Sequence, residues 1–350
     1  MRDKILAAID DEGPLPFDRY MDMCLYDPDD GFFGSGRGAP GKDADFLTSP
    51  ETSALFGMLV GLWALDTAHS LGTPLIEVGA GSGALLAEFT DMWLGDGPLY
   101  AVERSAPARA NLSSRFPAIG VLESLDGLPA TDAAVIVANE VLDNMPAALA
   151  VMAGNGWIEL GVDRDGDGLI LVEMPARPEV VAWCTSVYPD ASPGQTVSAQ
   201  VTATRWIEEV LGSFPRVSMC LIDYAEPSAV LAERAMHQIV RAYRKHRPSD
   251  EWLSRPGETD LTVDVNVDGV AMAVAAAGGT LKVLSQRNFL LDQGAEEDLE
   301  DLAYAEVTAA SEGRIMDQLI ARSKRIDLEA VLDPSGLGGF SVFLIEKGTR

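Results

Sequence analysis

Cysteine is scarce in this chain, with three residues in a sequence of 350. Cys24, Cys184 and Cys220 lie far apart and form no C-x-x-C pair, which argues against a disulfide framework and against a zinc site. We therefore expect a reducing compartment and no bound metal.

Basic residues are also few, because 26 Lys and Arg stand against 54 Asp and Glu and leave a net charge of −28. The molecule as a whole would repel a phosphate backbone, so a nucleic-acid partner is not expected. A basic or arginine-bearing peptide would be attracted, but the same acidity could serve solubility alone.

Long apolar runs are missing. The longest candidate, residues 54–65, has about half of the roughly 20 residues that a membrane-spanning helix needs. Asp10, Asp11 and Glu12 interrupt the N-terminal stretch where a signal peptide would be apolar. Hydrophobic residues make up 47% and charged residues 23% of the chain, which is typical of a globular protein. We predict a soluble cytoplasmic protein with no membrane partner.

The most informative pattern in the sequence is a glycine-rich stretch between a predicted strand and a predicted helix. Leu75-Ile76-Glu77-Val78 resembles a buried strand, and Gly79, Gly81 and Gly83 follow it at alternate positions before an apolar helix begins. Glycine lets backbone N–H groups approach a nucleotide-like ligand at a helix N-terminus. The dinucleotide fingerprint tolerates Ala at the position of its third glycine, here position 84, so the pattern alone does not exclude NAD.

Alternating strand and helix patterns follow the glycines and predict a parallel α/β sheet with helices on both faces. Glu103 ends the second strand, where an acidic side chain can hold two ribose hydroxyls. Asn139 ends the fourth strand at the same edge of the sheet. The predicted strands are 75–78, 99–102, 120–122, 133–138, 217–222, 281–284 and 340–345.

The segments outside this alternating pattern are predicted to form structures that surround the sheet, namely an N-terminal cap and two insertions. Residues 1–74 are predicted to form an N-terminal helical cap, in which an exposed loop and the helix start at 48–51 act as a lid. Residues 75–350 form the sheet domain, with insertions at about 144–215 and 226–265. The first insertion contains three strand patterns separated by Gly- and Asp-rich turns and is predicted to be a β-meander.

Several motifs together resemble one family. They are Gly13-Pro14-Leu15-Pro16-Phe17-Asp18-Arg19-Tyr20-Met21, Leu47-Thr48-Ser49-Pro50-Glu51, Glu77 to Gly83, Asn139-Glu140-Val141-Leu142-Asp143-Asn144, Ile222-Asp223-Tyr224, Ala242-Tyr243-Arg244-Lys245-His246 and Pro256-Gly257-Glu258-Thr259-Asp260-Leu261-Thr262. In this order they resemble the MidA-like family of class I S-adenosylmethionine-dependent methyltransferases, relatives of the mitochondrial protein-arginine methyltransferase of complex I assembly. Residues 154–203 match the family poorly.

The resemblance implies a seven-stranded Rossmann-like methyltransferase sheet and S-adenosyl-L-methionine as cofactor. It places at the cofactor Glu77, Gly79, Gly81, Gly83, Glu103, Ser124, Leu125 and Asn139. The residues predicted for the substrate or the lid are Tyr20, Tyr26, Thr48, Ser49, Pro50, Glu51 and His246. The basic stretch before His246 is predicted to be a helix.

Glu140 and Asp143 are the predicted catalytic pair, three residues apart on what is predicted to be a helical turn and hence on one face. A guanidinium has a pKa of about 13 and five N–H donors, so paired carboxylates can hold it and accept its proton. We therefore predict N-methylation of arginine in a protein or peptide, by an enzyme that could also form a homodimer.

Two other functions stay open at this stage. The divergent residues 154–203 leave room for a methyltransferase that acts on a small molecule or natural product. A cofactor-binding assembly factor without turnover is the third possibility, although the intact pair Glu140 and Asp143 disfavours it.

Overall fold

A seven-stranded sheet lies at the centre of the computed structural model. The structure describes residues 1–38, 48–93, 97–154, 156–244, 247–249 and 251–349. The strands are β1 (Leu75–Val78), β2 (Leu99–Val102), β3 (Gly120–Leu122), β4 (Ala133–Asn139), β5 (Arg216–Asp223), β6 (Thr280–Ser285) and β7 (Ser341–Lys347). All seven predicted strands are confirmed to within two residues at each end.

The strand order is β3-β2-β1-β4-β5-β7-β6. Strand β7 runs antiparallel to both of its neighbours, and the other pairs are parallel. The first six residues of β4 are buried, as expected for a strand covered by helices on both faces. The predicted α/β sheet is therefore confirmed.

Helices cover both faces of the sheet. One face packs against Ala54–Leu71, Ala84–Met92, Ala106–Arg115, Gln286–Asp292, Ala295–Ser311 and Ile315–Leu332. The other packs against Val201–Ser213 and Val267–Ala276. The carboxyl ends of the parallel strands β1, β2 and β4 border a cavity between these layers.

Helix Ala54–Leu71 is long and apolar enough to cross a membrane by length and composition alone. Phe56, Leu59, Val60 and Ala64 on this helix are nevertheless buried in the core beside β1 and β4. Packing inside the protein therefore explains its apolar sequence.

The N-terminal and inserted segments form a second layer. Helices Arg2–Glu12 and Phe17–Tyr26 share a hydrophobic core with strand Gly156–Asp165, and Leu15 pairs with Val162 of that strand. Strand Gly156–Asp165 belongs to a second sheet, in which Ala148–Ala153, Gly156–Asp165 and Gly168–Pro175 form an antiparallel meander. Thr196–Ala199 pairs with the first strand of this meander. The division of the chain into cap and sheet domain stays a prediction.

A small sheet follows in the second inserted region. Its strands are Val240–Arg244, Arg247–Pro248 and Asp260–Val263. The predicted helix before His246 is therefore wrong, because Ala242 pairs with Leu261 in an antiparallel ladder and both are buried. Pairing with the distant segment Asp260–Val263 makes this stretch a strand, and the local sequence does not reveal that pairing.

The remaining elements are short or peripheral. The helices among them are Ser49–Thr52, Pro178–Val187, Ser228–Leu231 and Met236–Ile239, with 3-10 turns at Leu125–Gly127 and Leu337–Gly339. Ala225–Glu226 and Val265–Asn266 form a two-stranded parallel pair.

Candidate functional site

A cavity of about 1220 Å³ opens at the carboxyl ends of β1, β2 and β4. Parallel sheets of this kind bind ligands at that edge. The cavity continues from the glycine-rich loop, past Glu140 and Asp143, to residues of the cap and of the second insertion. One space therefore joins the predicted cofactor and substrate residues.

The glycine-rich loop forms one wall of this cavity. Gly79, Gly81 and Gly83 have φ values of 73°, 50° and 76°, and Gly79 and Gly81 line the cavity. A Cβ atom on Gly79 would lie 2.5 Å from Cγ2 of Val141, another wall residue. The loop therefore leaves space for a ligand only with glycine at this position.

Gly83 has a different role from the predicted one. It does not line the cavity, and a Cβ atom there would lie 2.7 Å from the Phe116 ring and 2.8 Å from Leu112. Its small size lets the helix that begins at Ala84 pack closely on a neighbouring helix, so Gly83 serves packing and not ligand contact.

Glu103 fastens the glycine-rich loop to the end of β2. Its Oε2 accepts a hydrogen bond from Gly81 N (2.9 Å), and its Oε1 accepts one from Ser105 N (2.7 Å). A carboxylate offers about four acceptor sites, so both oxygens can still accept from ribose hydroxyls. Ser124 and Leu125 line the cavity beyond β3, as predicted for a nucleoside site.

Four cavity-lining side chains carry a buried oxygen with no partner among the described residues: Oε2 of Glu51, Oε2 of Glu77, Oδ1 of Asn139 and Oδ1 of Asp143. Glu77 is only 4% exposed. Burial raises the pKa of its carboxyl well above the usual value, and the charges of Glu103 and Glu51 add to this effect. A cation or a hydrogen-bond donor in the cavity would stabilise this arrangement.

These residues fit the cofactor that the sequence implies. S-adenosyl-L-methionine combines a nucleoside with a sulfonium and an amino group, so it offers hydroxyl donors and positive charge. Glu103 would hold the ribose, and the unpaired carboxylate oxygen of Glu77 would face the cationic part. The open backbone at Gly79 and Gly81 supplies the space between them.

Glu140 is the one non-glycine residue with positive φ in the part of the chain that the structure describes, at 52°. Such a conformation costs energy in an acidic residue and is found most often at functional sites. Its Oε1 accepts from Asn139 Nδ2 at 3.0 Å. Burial and the charge of Asp223 raise the pKa of the Glu140 carboxyl to about 8.

Asp143 lies beside Glu140 in a cluster of carboxylates. Asp143 is 3% exposed, and its Oδ1 has no partner among the described residues. Burial raises the pKa of the Asp143 carboxyl well above its usual value, with further contributions from Asp223, Asp260 and Glu140. Within the described residues, no cluster of His, Cys, Asp and Glu has a geometry suited to a metal ion.

Asp223 holds the loop that carries this pair. Its Oδ2 accepts from the backbone N–H groups of Val141 (3.2 Å), Leu142 (2.8 Å) and Asp143 (3.2 Å). Burial raises the pKa of Asp223 to about 7, although these hydrogen bonds act in the opposite direction. The segment is a turn and not the predicted helical turn, so Asp223 and not helix geometry brings Glu140 and Asp143 together.

Asp223 and Asp260 are site residues that the sequence analysis does not identify, although both belong to the motifs of the resemblance. The position of Asp223 at the end of β5, at the same edge of the sheet as Asn139, is a sequence signal that points to the site. Asp260 has no comparable signal, because it does not end a strand of the large sheet. Its Oδ1 accepts from Asn144 Nδ2 (2.8 Å), and it reaches the cavity from the small second sheet.

Aromatic side chains flank the carboxylates. Tyr26 lines the cavity and donates its hydroxyl to Asn144 O (3.2 Å), while the Arg104 guanidinium lies 4.0 Å from its ring centre. Tyr224 lines the cavity as well, with the Arg241 guanidinium 5.1 Å from its ring centre. Aromatic and acidic groups in one pocket provide the environment that an organic cation prefers.

The predicted substrate and lid residues do not all reach the cavity. Thr48, Pro50 and Glu51 line it together with Tyr26, and Glu51 Oε1 accepts from Ser82 Oγ at 2.8 Å.

Tyr20 and Ser49 are corrections to the predicted set. Tyr20 is fully buried in the core of the second layer and donates to Trp252 O at 2.5 Å. Ser49 is also fully buried and donates to Gln286 Oε1 at 3.2 Å. His246 and residues 39–47 of the predicted lid lie outside the described residues.

Comparisons with known proteins agree with this geometry. Protein arginine methyltransferase NDUFAF7 of Xenopus tropicalis, a mitochondrial protein, is 25% identical over 90% of this chain and 79% of its own length. The Caenorhabditis elegans homologue, also mitochondrial, is 27% identical over 83% of this chain and 75% of its own. These names contradict the predicted cytoplasmic location.

A solved structure is similar over the whole chain. It is a COG1565 superfamily member from Burkholderia thailandensis bound to S-adenosyl-homocysteine, with a TM-score of 0.83 and 27% identity, and the match covers 100% of this chain and 92% of that one. The predicted cofactor, S-adenosyl-L-methionine, is confirmed by this likeness and by the family match. The family model Methyltransf_28, which describes S-adenosyl-L-methionine-dependent methyltransferases, matches residues 59–285, and the chain therefore belongs to this MidA-like methyltransferase family.

Proposed function

We propose that this methyltransferase transfers methyl groups to arginine side chains of a protein or peptide. One observation supports the proposal most directly: Glu140, Asp143 and Asp260 converge with Tyr26 and Tyr224 on one cavity beside the glycine-rich loop. The named relatives are protein arginine methyltransferases, which agrees with the choice of arginine.

The chemistry of the pocket suits a guanidinium. S-adenosyl-L-methionine supplies an electrophilic methyl group when it is bound. The carboxylates of Glu140 and Asp143 would hold the guanidinium by charge-assisted hydrogen bonds and orient one nitrogen. Because the pKa of the Glu140 carboxyl is about 8, this group is suited to accept the proton that the nitrogen loses near neutral pH.

The proposal is tested with peptides. The protein is incubated with labelled S-adenosyl-L-methionine and with arginine-bearing peptides, and matched peptides carry lysine in place of arginine. We expect a mass increase of one methylene group on arginine alone. Transfer to small molecules only, or cofactor binding with no transfer to any acceptor, would contradict the proposal in favour of the two other functions considered from the sequence.

Binding of an arginine peptide should depend on pH. In the free protein Glu140 is mostly protonated at pH 7, since the pKa of its carboxyl is about 8. A bound guanidinium favours the charged carboxylate, so binding releases a proton. Affinity should therefore rise as the pH rises toward 8, by up to about tenfold per pH unit, and level off above that pH. Calorimetry across this range measures the slope, which Glu140→Gln should reduce; a slope that is the same in this variant would assign the proton to another group.

The other expected partners stay predictions. These are the absence of nucleic acid and of a membrane, and the formation of a homodimer.

A further inference from the structure

The short helix Ser49–Thr52 lies against both halves of the cavity. Oε1 of Glu51 accepts a hydrogen bond from Ser82 Oγ (2.8 Å) in the glycine-rich loop. At the start of the same helix, the backbone N–H of Ser49 faces the Glu140 carboxyl and acts to lower its pKa. Glu51 therefore stands where the loop that adjoins the cofactor space meets the carboxylates of the substrate side.

The second carboxylate oxygen of Glu51 is available for a ligand. This atom, Oε2, is buried and has no hydrogen-bond partner among the described residues. Burial raises the pKa of the Glu51 carboxyl, and no cation is among the groups that shift it. The charge of Glu51 in turn raises the pKa of the carboxyls of Glu77 and Glu140. A positive charge placed between these three carboxylates would relieve their repulsion and occupy the unpaired oxygen.

The sulfonium of S-adenosyl-L-methionine is the cation that this position suits best. It must lie between the cofactor loop and the acceptor, because its methyl group is the one transferred. Of the four cavity side chains that have an unpaired oxygen among the described residues, Glu51 is the one whose other oxygen is hydrogen-bonded to the glycine-rich loop. We propose that Glu51 recognises the sulfonium charge and thereby makes the protein prefer S-adenosyl-L-methionine to the product S-adenosyl-homocysteine.

The two ligands differ by one methyl group and one positive charge. In the transfer, a lone pair of the acceptor forms the new bond to the methyl carbon, and the acceptor then loses a proton. The electron pair of the broken carbon–sulfur bond stays on sulfur, which becomes a neutral thioether. The attraction to Glu51 is therefore present before the transfer and absent after it, which favours release of the product.

The expected preference is large enough to measure. Opposite charges a few Å apart attract strongly at an effective dielectric constant of about 20, although loss of hydration offsets part of this gain. We expect the wild-type protein to bind S-adenosyl-L-methionine roughly tenfold or more tightly than S-adenosyl-homocysteine.

The test is calorimetric titration of the full chain with no acceptor present. Three ligands are compared: S-adenosyl-L-methionine, S-adenosyl-homocysteine and sinefungin, in which a protonated amine on carbon replaces the sulfonium. Glu51→Gln keeps the size of the side chain and removes its charge. This variant should bind both cationic ligands roughly tenfold or more weakly than the wild type, and S-adenosyl-homocysteine within about twofold of it. Retained binding of the neutral ligand shows at the same time that the site is folded.

Glu209→Gln is the matched control. Glu209 is an exposed carboxylate that lines the same cavity, so this variant changes the net charge of the protein by the same amount. The preference for S-adenosyl-L-methionine should be as large in this variant as in the wild type, because Glu209 has no part in binding the sulfonium.

Four results would overturn the proposal. The first is equal affinity of the wild type for S-adenosyl-L-methionine and S-adenosyl-homocysteine. The second is an equal loss of both ligands in Glu51→Gln, which would place Glu51 at a part that they share. The third is a loss of S-adenosyl-L-methionine without a loss of sinefungin, which would indicate contact with the methyl group and not with the charge. The fourth is a preference that Glu51→Gln retains and Glu77→Gln abolishes, which would assign the sulfonium to Glu77.

This inference depends on the cofactor and not on arginine as the acceptor. The titrations contain no acceptor, so failure of arginine methylation would leave their outcome unchanged. A lost preference in Glu51→Gln would equally leave the choice of acceptor to the peptide experiment.

Discussion

Glu140→Gln and Asp143→Asn are each expected to lower turnover of an arginine substrate by roughly 10²–10⁴-fold, while S-adenosyl-L-methionine still binds. Each change keeps the size of the side chain but removes the charge that holds a guanidinium. Because both carboxylates serve one substrate group, the double variant should lose less than the product of the two single losses. Turnover is measured at saturating cofactor.

Stability separates this role from a structural one. The Asp143 carboxyl is buried with an unpaired oxygen and lies among Asp223, Asp260 and Glu140, which repel its charge. Neutral Asn at this position should leave the melting temperature of the free protein unchanged or raise it, as is common where activity requires an unfavourable arrangement. Glu209→Gln, which removes one exposed carboxylate from the same cavity, is the matched control and should keep near-normal turnover. Early melting of Asp143→Asn together with weak cofactor binding would mean that Asp143 supports the fold.

Local sequence signals were sufficient for the large sheet. Strand β4 is continuously apolar because it is buried on both faces, and the glycines after β1 stand where backbone must turn sharply. Such features depend on residues that are neighbours in sequence. Because Gly79, Glu103 and Asn139 each stand at the end of a predicted strand, the sequence alone is sufficient to place them at one edge of the sheet.

The substrate side depends on contacts between distant segments. Asp260 reaches the cavity only because Val240–Arg244 pairs with Asp260–Val263, and local sequence indicated a helix for the first of these. Tyr20 and Tyr26 lie on one helix, Phe17–Tyr26, yet Tyr26 lines the cavity while the Tyr20 side chain is buried in the core shared with the inserted strands. Residues of one helix can thus belong to different surfaces, and only packing distinguishes them.

Gly79→Val should lower the affinity for S-adenosyl-L-methionine by roughly 100-fold or more, and Gly79→Ala by roughly tenfold. A Cβ atom at this position would lie 2.5 Å from Val141, so the wall of the cavity would have to move. Overpacking of this kind costs about 1–3 kcal/mol, and about 1.4 kcal/mol corresponds to a factor of ten in affinity. Valine adds two more methyl groups beside the cavity that the cofactor must enter.

The matched control for Gly79→Ala is Gly72→Ala. Gly72 also has a positive φ, 60°, but a Cβ atom there meets nothing within 4 Å, and Gly72 does not line the cavity. Both substitutions place alanine in the left-handed region, which costs roughly 1–2 kcal/mol of stability in each case. Only Gly79→Ala should weaken cofactor binding in calorimetry, because only Gly79 adjoins the ligand space. Equal loss of affinity in both variants would trace the effect to general backbone strain, and unchanged affinity in Gly79→Val would show that this loop does not hold the cofactor.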